Sequence, residues 1–191
     1  MEINNFITEY TNNLKLLLDN IDKKGIEKII FALEKTKINK SKIYILGNGG
    51  SAATASHMVN DLGVGLRRRD ISNFDIISLA DNTPVCTAIS NDIGYNNIFY
   101  MQLKGLLKKE DLIIAISCSG NSKNILKAVE YGNTIGSTII GLTGFDGGKL
   151  KKESDISFHI NTKKGEYGLV EDLHMILDHI IYSYYIQKGL Q

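Results

Sequence analysis

The sequence predicts an α/β protein, a three-layer sandwich in which a five-stranded parallel sheet is covered by helices on both faces. Three observations carry this. Short apolar runs at 42–46, 74–79, 111–116, 138–142 and 156–160 alternate with longer stretches of helical periodicity, the pattern of strand–helix–strand crossovers. The runs at 42–46 and 111–116 each end in a loop of glycines or hydroxyls that opens a helix. The length, 191 residues, suits a single domain with a full core.

In chain order, Ile3, Phe6, Ile7, Tyr10, Leu14, Leu17 and Ile21 recur at intervals of three and four and mark one face of an amphipathic helix. Ile26, Ile29, Ile30 and Leu33 mark a second. Two helices before the first strand exceed what one parallel sheet needs, so their apolar faces are expected to pack both on the sheet and on another subunit. The single domain, 1–191, thus divides into a helical pair at 1–38 and an α/β core at 42–191. After the first strand, Gly47-Asn48-Gly49-Gly50-Ser51 opens a helix expected to reach about residue 62. Pro84 suits the first turn of the helix after strand two. Asn91-Asp92-Ile93-Gly94 is expected to break that helix and 99–107 to resume it. A helix over 123–134 stops near Gly136, and Asp146-Gly147-Gly148 turns into a short helix. The strand at 156–160 is the weakest, and a long helix over about 169–187 closes the chain.

Composition narrows the partners. Net charge is +1, which gives no global attraction to nucleic acid or to a membrane. Arg67-Arg68-Arg69 is followed by Asp70 and reads as a solvated loop. No apolar run has the length of a membrane span, and Met1-Glu2-Ile3-Asn4-Asn5 lacks the pattern of a signal peptide. Cys86 and Cys118 have no paired spacing, which predicts a reducing compartment. A cytoplasmic protein is the expectation.

The stretch that organises the chemistry is Ser117-Cys118-Ser119-Gly120-Asn121-Ser122. A helix N-terminus offers free backbone N–H groups and a positive dipole end, and three serine hydroxyls add donors around the same point. With no lysine in the loop, a small phosphate ester fits better than a nucleoside triphosphate. Gly47-Asn48-Gly49-Gly50-Ser51-Ala52 satisfies G-x-G-x-x-A, but a dinucleotide site also wants an acid at the end of strand two. Asp81 comes too late for that, and Asp70 and Asp75 are not at a strand end, so no nucleotide cofactor is expected. The glycines instead let backbone approach a small ligand, with Asn48 and Ser51 offering hydrogen bonds to sugar hydroxyls.

His57 and Asp61 are four apart on one helical face, a spacing open to an acid–base pair, metal ligands or a surface ion pair. On the closing helix Glu171, His174 and Asp178 form a polar stripe, which reads as a solvated face. Leu173, Ile176, Leu177, Ile180 and Tyr184 form the expected core stripe. His179 lies on the other flank from His174. Glu171 and His179 are about 12 Å apart along a straight helix. One subunit cannot place both on one ion unless Glu171 precedes the helix proper.

Together and in this order, these residues resemble the sugar isomerase (SIS) domain family, and within it the phosphoheptose isomerase branch. The matching stretches are Gly47 to Ala53, Asn91-Asp92, the loop 117–122 and the spacing from His57 to His179. The resemblance covers nearly the whole chain and implies a flavodoxin-like sandwich with two extra N-terminal helices. It also implies a homotetramer with sites shared between subunits. It assigns the sugar phosphate to Ser117, Ser119 and Ser122, with Cys118 where a threonine is usual. It assigns the sugar chain to Asn48, Gly49, Gly50, Asn91 and Asp92, beside which Ser51 and Glu171 are further candidate substrate contacts. Asp61 takes the place of the base and His179 that of the acid, and one zinc ion would be held by His57, Asp61, Glu171 and His179. The implied reaction is conversion of sedoheptulose 7-phosphate to a manno-heptose 7-phosphate for surface polysaccharide. The rivals are a non-catalytic sugar-phosphate-binding or regulatory member of the family and an isomerase of another sugar phosphate. Three further positions depart from the branch. Asp61 replaces glutamate, which sets the carboxylate back by roughly 1.5 Å. Glu171 replaces glutamine, and no arginine follows Asp61.

Overall fold

The computed structural model describes residues 2–190. The helical pair α1 (Ile3–Asp19) and α2 (Lys23–Ile38) leads into a single sheet. Its strands are β1 (Lys42–Gly47), β2 (Asp75–Ser78), β3 (Leu112–Ser117), β4 (Thr138–Gly144) and β5 (Ile156–Ile160). They lie in the order β2-β1-β3-β4-β5, and every pair is parallel. The connecting helices are α3 (Gly50–Met58), α4 (Thr83–Ile93), α5 (Tyr100–Leu103), α6 (Lys123–Ile135) and α7 (Gly148–Glu153); α8 (Tyr167–Gly189) closes the chain.

Alternation along the strands builds two cores. Ile43, Ile45, Leu112, Ile114 and Ile116 point to one face, where they meet Ile29 and Leu33 of α2, Met58 of α3 and Leu173, Leu177 and Ile181 of α8. Tyr44, Leu46, Ile113 and Ala115 point to the other, against Leu103, Ile125, Val129 and Leu150. Both faces are covered, which is why the strands read as unbroken apolar runs. Asp111 ties the entry to the sheet. Buried just before β3, it accepts hydrogen bonds from the backbone N–H of Lys42 at 2.8 Å and of Lys108 at 2.9 Å.

Several boundaries differ from the sequence expectation. The helix after β1 keeps α geometry only to Met58 and continues as a π-helical turn, Val59–Gly65. Gly63 and Gly65 let this turn lie close to the sheet and to α8, since a Cβ on them would press on Ile76 and on the Tyr182 ring. Asn91 and Asp92 do not break α4 but form its last turn; the stop is Gly94, at φ 93°. Beyond it a 3-10 turn, Tyr95–Asn97, and the short α5 replace the helix expected over 99–107. That helix ends because Lys104 is extended and Gly105 sits at φ 77°.

The closing helix is rotated from the expected stripe. Its buried residues are Leu169, Val170, Leu173, His174, Leu177, Asp178, Ile181 and Tyr185. Ile180 and Tyr184, expected in the core, are exposed. His174 and Asp178 are therefore interior groups and not a solvated face. The helix packs on α3, on β4 and on the π turn, and the contact surface on that side is wide enough to enclose polar positions.

The leading helix is half docked. Leu14, Leu17, Leu18 and Ile21 pack on the core, while Ile3, Phe6 and Ile7 are exposed. Tyr10 pins it by donating to Asp172 at 2.6 Å, a bond that pushes the phenol pKa up to about 12. The second half of the helix thus packs on the core beside α8. The triple arginine is exposed as expected, with Arg69 stacked near Tyr182 and bonded to the Gly65 carbonyl. Among the described residues no helix is long and apolar enough to cross a membrane, and Cys86 and Cys118 are both free.

Removing the buried carboxylate in Asp111→Ala orphans two backbone donors at the start of the sheet. Stability to urea should fall by about 2–3 kcal/mol, with Asp111→Asn recovering part of it.

Candidate functional site

The register of the central pair fixes where the site lies. Gly47 of β1 stands opposite Ile116 of β3, so the loops that follow leave the sheet side by side. Strand order reverses between these two strands, the place where parallel sheets of this kind bind ligands. Ser117, Cys118, Ser119 and Ser122 line a cavity of about 170 Å³ together with Asn48, Ser51, Tyr167 and Glu171. Six of the predicted ligand-binding positions and the predicted Glu171 thus meet at one small, polar opening.

The serine loop is held by its neighbours. Gly144 donates to the Cys118 carbonyl at 2.8 Å and Leu150 to the Gly120 carbonyl at 2.9 Å. Gly120 is at φ 62°, and a Cβ there would collide with the Gly147 carbonyl. The Ser117 and Ser122 hydroxyls are 3.3 Å apart and the loop is the entry to α6, so hydroxyls and helix N–H groups converge. Cys118 is buried, and desolvation followed by the nearby Glu171 charge pushes its thiol pKa up. It fills space as a neutral thiol beneath the loop.

The glycine loop is built for close approach. Gly49 takes φ 55° and caps α3, and a Cβ on Gly50 would run into the Glu171 carboxylate. Asn48 is not a free donor. Its amide pairs with that of Asn124 through two bonds of 3.0 and 2.8 Å, and its oxygen also accepts from Tyr95 at 2.8 Å. Asn124, buried at the start of α6, therefore locks the two loops together. Sequence reasoning missed it, although it lies just beyond the serine loop. Lys164 was also missed. It lines a second cavity, of about 280 Å³, with Ser119 and Asn121 and brings a positive charge beside the loop. Asn91 and Asp92 are exposed at the end of α4, bonded to each other at 2.9 Å, and are not among the residues lining either cavity.

A second cluster sits where α3 and its π turn cross α8. His57, Asp61, Asp178 and His179 place one ligand atom each within 4.8 Å of one another. His57 Nε2 lies 3.5 Å from Asp61, 3.8 Å from Asp178 and 3.2 Å from His179 Nε2. The π turn brings Asp61 in, and Asn60 donates to its Oδ1 at 2.9 Å, leaving Oδ2 toward His57. Burial, then the Asp61 charge, pushes the Asp178 carboxyl up to about 7. Nearby, burial lowers the His174 pKa to about 4, so this ring is a neutral core group. Two imidazoles and two carboxylates suit a divalent transition metal. This cluster contains three of the four predicted metal positions. Glu171 is the fourth, and the structure does not bring it there: it lies inside α8, two turns before His179, with its carboxylate at Gly50.

The comparisons identify the family. The SIS domain family profile matches residues 9–144. The phosphoheptose isomerase of Helicobacter pylori strain P12 is 38% identical over 156 residues, 82% of this chain and 80% of that protein. The solved phosphoheptose isomerase of Francisella tularensis superposes with a TM-score of 0.87 at 25% identity, covering 98% of this chain and 100% of the other. That of Neisseria gonorrhoeae gives 0.85 at 25% identity, covering 97% and 100%. The chain belongs to the SIS domain family, in its phosphoheptose isomerase branch. It has the fold of that family and is a phosphosugar isomerase.

Gly120→Ala forces a side chain against the Gly147 backbone at a left-handed position. Isothermal titration with a sugar phosphate should show binding weakened by about tenfold or more, with the sheet intact by circular dichroism.

Proposed function

We propose that the protein is an aldose–ketose isomerase that converts sedoheptulose 7-phosphate to D-glycero-D-manno-heptose 7-phosphate, a heptose supply for surface polysaccharide. The observation that carries this is the pairing of the serine loop at the strand-order reversal with the His57–Asp61–His179 cluster, in a chain 38% identical to a phosphoheptose isomerase. Ser117, Ser119 and Ser122 hold the phosphate, with the α6 N-terminus behind them. Asn48, Gly49, Gly50, Ser51 and Glu171 face the sugar chain; the resemblance to the family adds Asn91 and Asp92, which line neither cavity of this chain.

With the phosphate anchored, C1 and C2 of the ketose are brought to Asp61 and His179. Asp61 Oδ2 removes a proton from C1, giving an enediolate, and returns it to C2. His179 delivers a proton to the C2 oxygen and takes one from the C1 hydroxyl through the ring nitrogen that holds no metal, so that proton count is kept. A zinc ion held by His57, Asp61 and His179 would polarise the sugar oxygens and offset their charge. The fit for such an ion rests on the cluster itself, two imidazoles and an oriented carboxylate within ligand spacing.

The assembly is read as a homotetramer in the cytoplasm. Ile3, Phe6 and Ile7 present an apolar face on the free half of α1, next to α8, where a neighbouring subunit would cover it. The altered Asp61 favours a second reading, a module that binds sugar phosphate without turning it over; the isomerase relatives weigh against it.

NMR of the protein with sedoheptulose 7-phosphate should show a new aldose anomeric signal. Asp61→Asn and His179→Gln should each lower kcat by about a hundredfold or more, while Ser119→Ala should mainly raise KM. Tight binding with no product would select the binding module. Light scattering behind size exclusion should give four subunits, and a Phe6→Glu, Ile7→Glu double variant should give fewer.

A further inference from the structure

We infer that Tyr95 and Asn124 are positioning residues for Asn48: together they saturate its amide oxygen and leave it a single Nδ2 proton to offer, so that Asn48 recognises an oxygen acceptor on the sugar chain and cannot accept from a hydroxyl. This rests on the sugar-phosphate reading given above and adds two residues that act through Asn48.

The orientation of the amide pair follows from one donor that cannot reverse. Ile125 lies in the first turn of α6, where backbone N–H groups have no partner within the helix. Its N–H donates to Asn124 Oδ1 at 3.0 Å. With that oxygen fixed, the rest of the pair is fixed too. Asn48 Nδ2 donates to Asn124 Oδ1 at 3.0 Å, and Asn124 Nδ2 donates to Asn48 Oδ1 at 2.8 Å. A joint flip of both amides would keep the pair but set the Asn124 nitrogen against the Ile125 N–H, donor against donor. Asn124 is 2% exposed, so water does not repair that loss.

Tyr95 completes the set by donating its hydroxyl to Asn48 Oδ1 at 2.8 Å. An amide oxygen has two lone pairs, and Asn124 and Tyr95 take both. Among the described residues the Asn48 nitrogen has one partner, Asn124, so one of its two protons is uncommitted. Asn48 stands on the wall of the serine-loop cavity. There it can donate to a carbonyl or hydroxyl oxygen of a ligand, and its own oxygen has nothing left to give. Tyr95 is itself held. It opens the 3-10 turn after Gly94, and Lys127 of α6 ties that turn down by donating to Asn97 Oδ1 at 2.6 Å. Every group in the network belongs to one chain, so it needs nothing from a neighbouring subunit. The donor is set before the ligand arrives, and little side-chain freedom remains to be lost on binding. Through Tyr95 the segment after α4 thus reaches the site, although Asn91 and Asp92 line neither cavity.

The test is isothermal titration of the full chain with sedoheptulose 7-phosphate and, separately, with inorganic phosphate. Tyr95→Phe should weaken binding of the sugar phosphate about threefold or more, and Asn124→Ala about tenfold. Inorganic phosphate should keep its affinity within about twofold in both, because the serine loop has its own ties through Gly144 and Leu150. In an Asn48→Ala background Tyr95→Phe should cost nothing further, the mark of a residue that acts through Asn48. Tyr95 is exposed, so Tyr95→Phe keeps the fold and carries the test even where Asn124→Ala melts early. Full affinity for the sugar phosphate in Tyr95→Phe, equal loss of sugar phosphate and inorganic phosphate, or an undiminished effect of Tyr95→Phe in the Asn48→Ala background would each overturn the proposal. None of these readouts uses turnover. A wild type that binds sedoheptulose 7-phosphate and leaves it unchanged refutes the activity and keeps this inference. Where the wild type binds fructose 6-phosphate instead, the heptose reading fails and the same comparison on that ligand decides the inference.

Discussion

The register of β1 against β3 is the constraint on which the rest of the site depends. Pairing Gly47 with Ile116 releases two loops at the same height on the carboxyl edge of the sheet. Each opens a helix, so two sets of free N–H groups face one small volume. The Asn48–Asn124 amide pair then fastens the loops across the gap. A sheet slipped by one residue would reverse every side chain between the two cores and separate the loops at once.

The second organising element is α8, a single 23-residue helix that serves two places. Its first turns carry Glu171 to the serine-loop cavity, and its middle carries Asp178 and His179 to the crossing with α3. Because the helix is continuous, the two places are held at a fixed separation. The glycines at 50, 63 and 65 allow that helix, the sheet and the π turn to come close enough for side chains from both to meet. The π turn matters for the same reason: it widens the backbone at Asp61 and turns the shorter acid toward His57.

Charge is distributed unevenly between these places. The serine loop holds no cation of its own and relies on hydroxyls and backbone N–H groups, with Lys164 at its rim. The cluster at the helix crossing holds two buried carboxylates close together, and that of Asp178 is raised toward neutral pH by desolvation and by its neighbour. An anionic ligand group is suited to the first and a cation to the second.

The sequence by itself determined the layers, the strand positions and the serine and glycine loops, because apolar period, glycine and helix-start chemistry are local properties. His57 and Asp61 were legible as a pair at helical spacing, and His179 through the resemblance to the family. Tertiary structure decided what spacing cannot express. The rotation of α8 turned His174 and Asp178 inward and exposed Ile180 and Tyr184, since helix phase is set by the total shape of the contact and not by the count of apolar residues. It also placed Glu171 at Gly50 instead of at the histidines, and joined Asn48 to Asn124 across 76 positions of sequence. Such pairings exist only when distant segments are packed together, and only packing shows that a carboxylate such as Asp178 has been cut off from water.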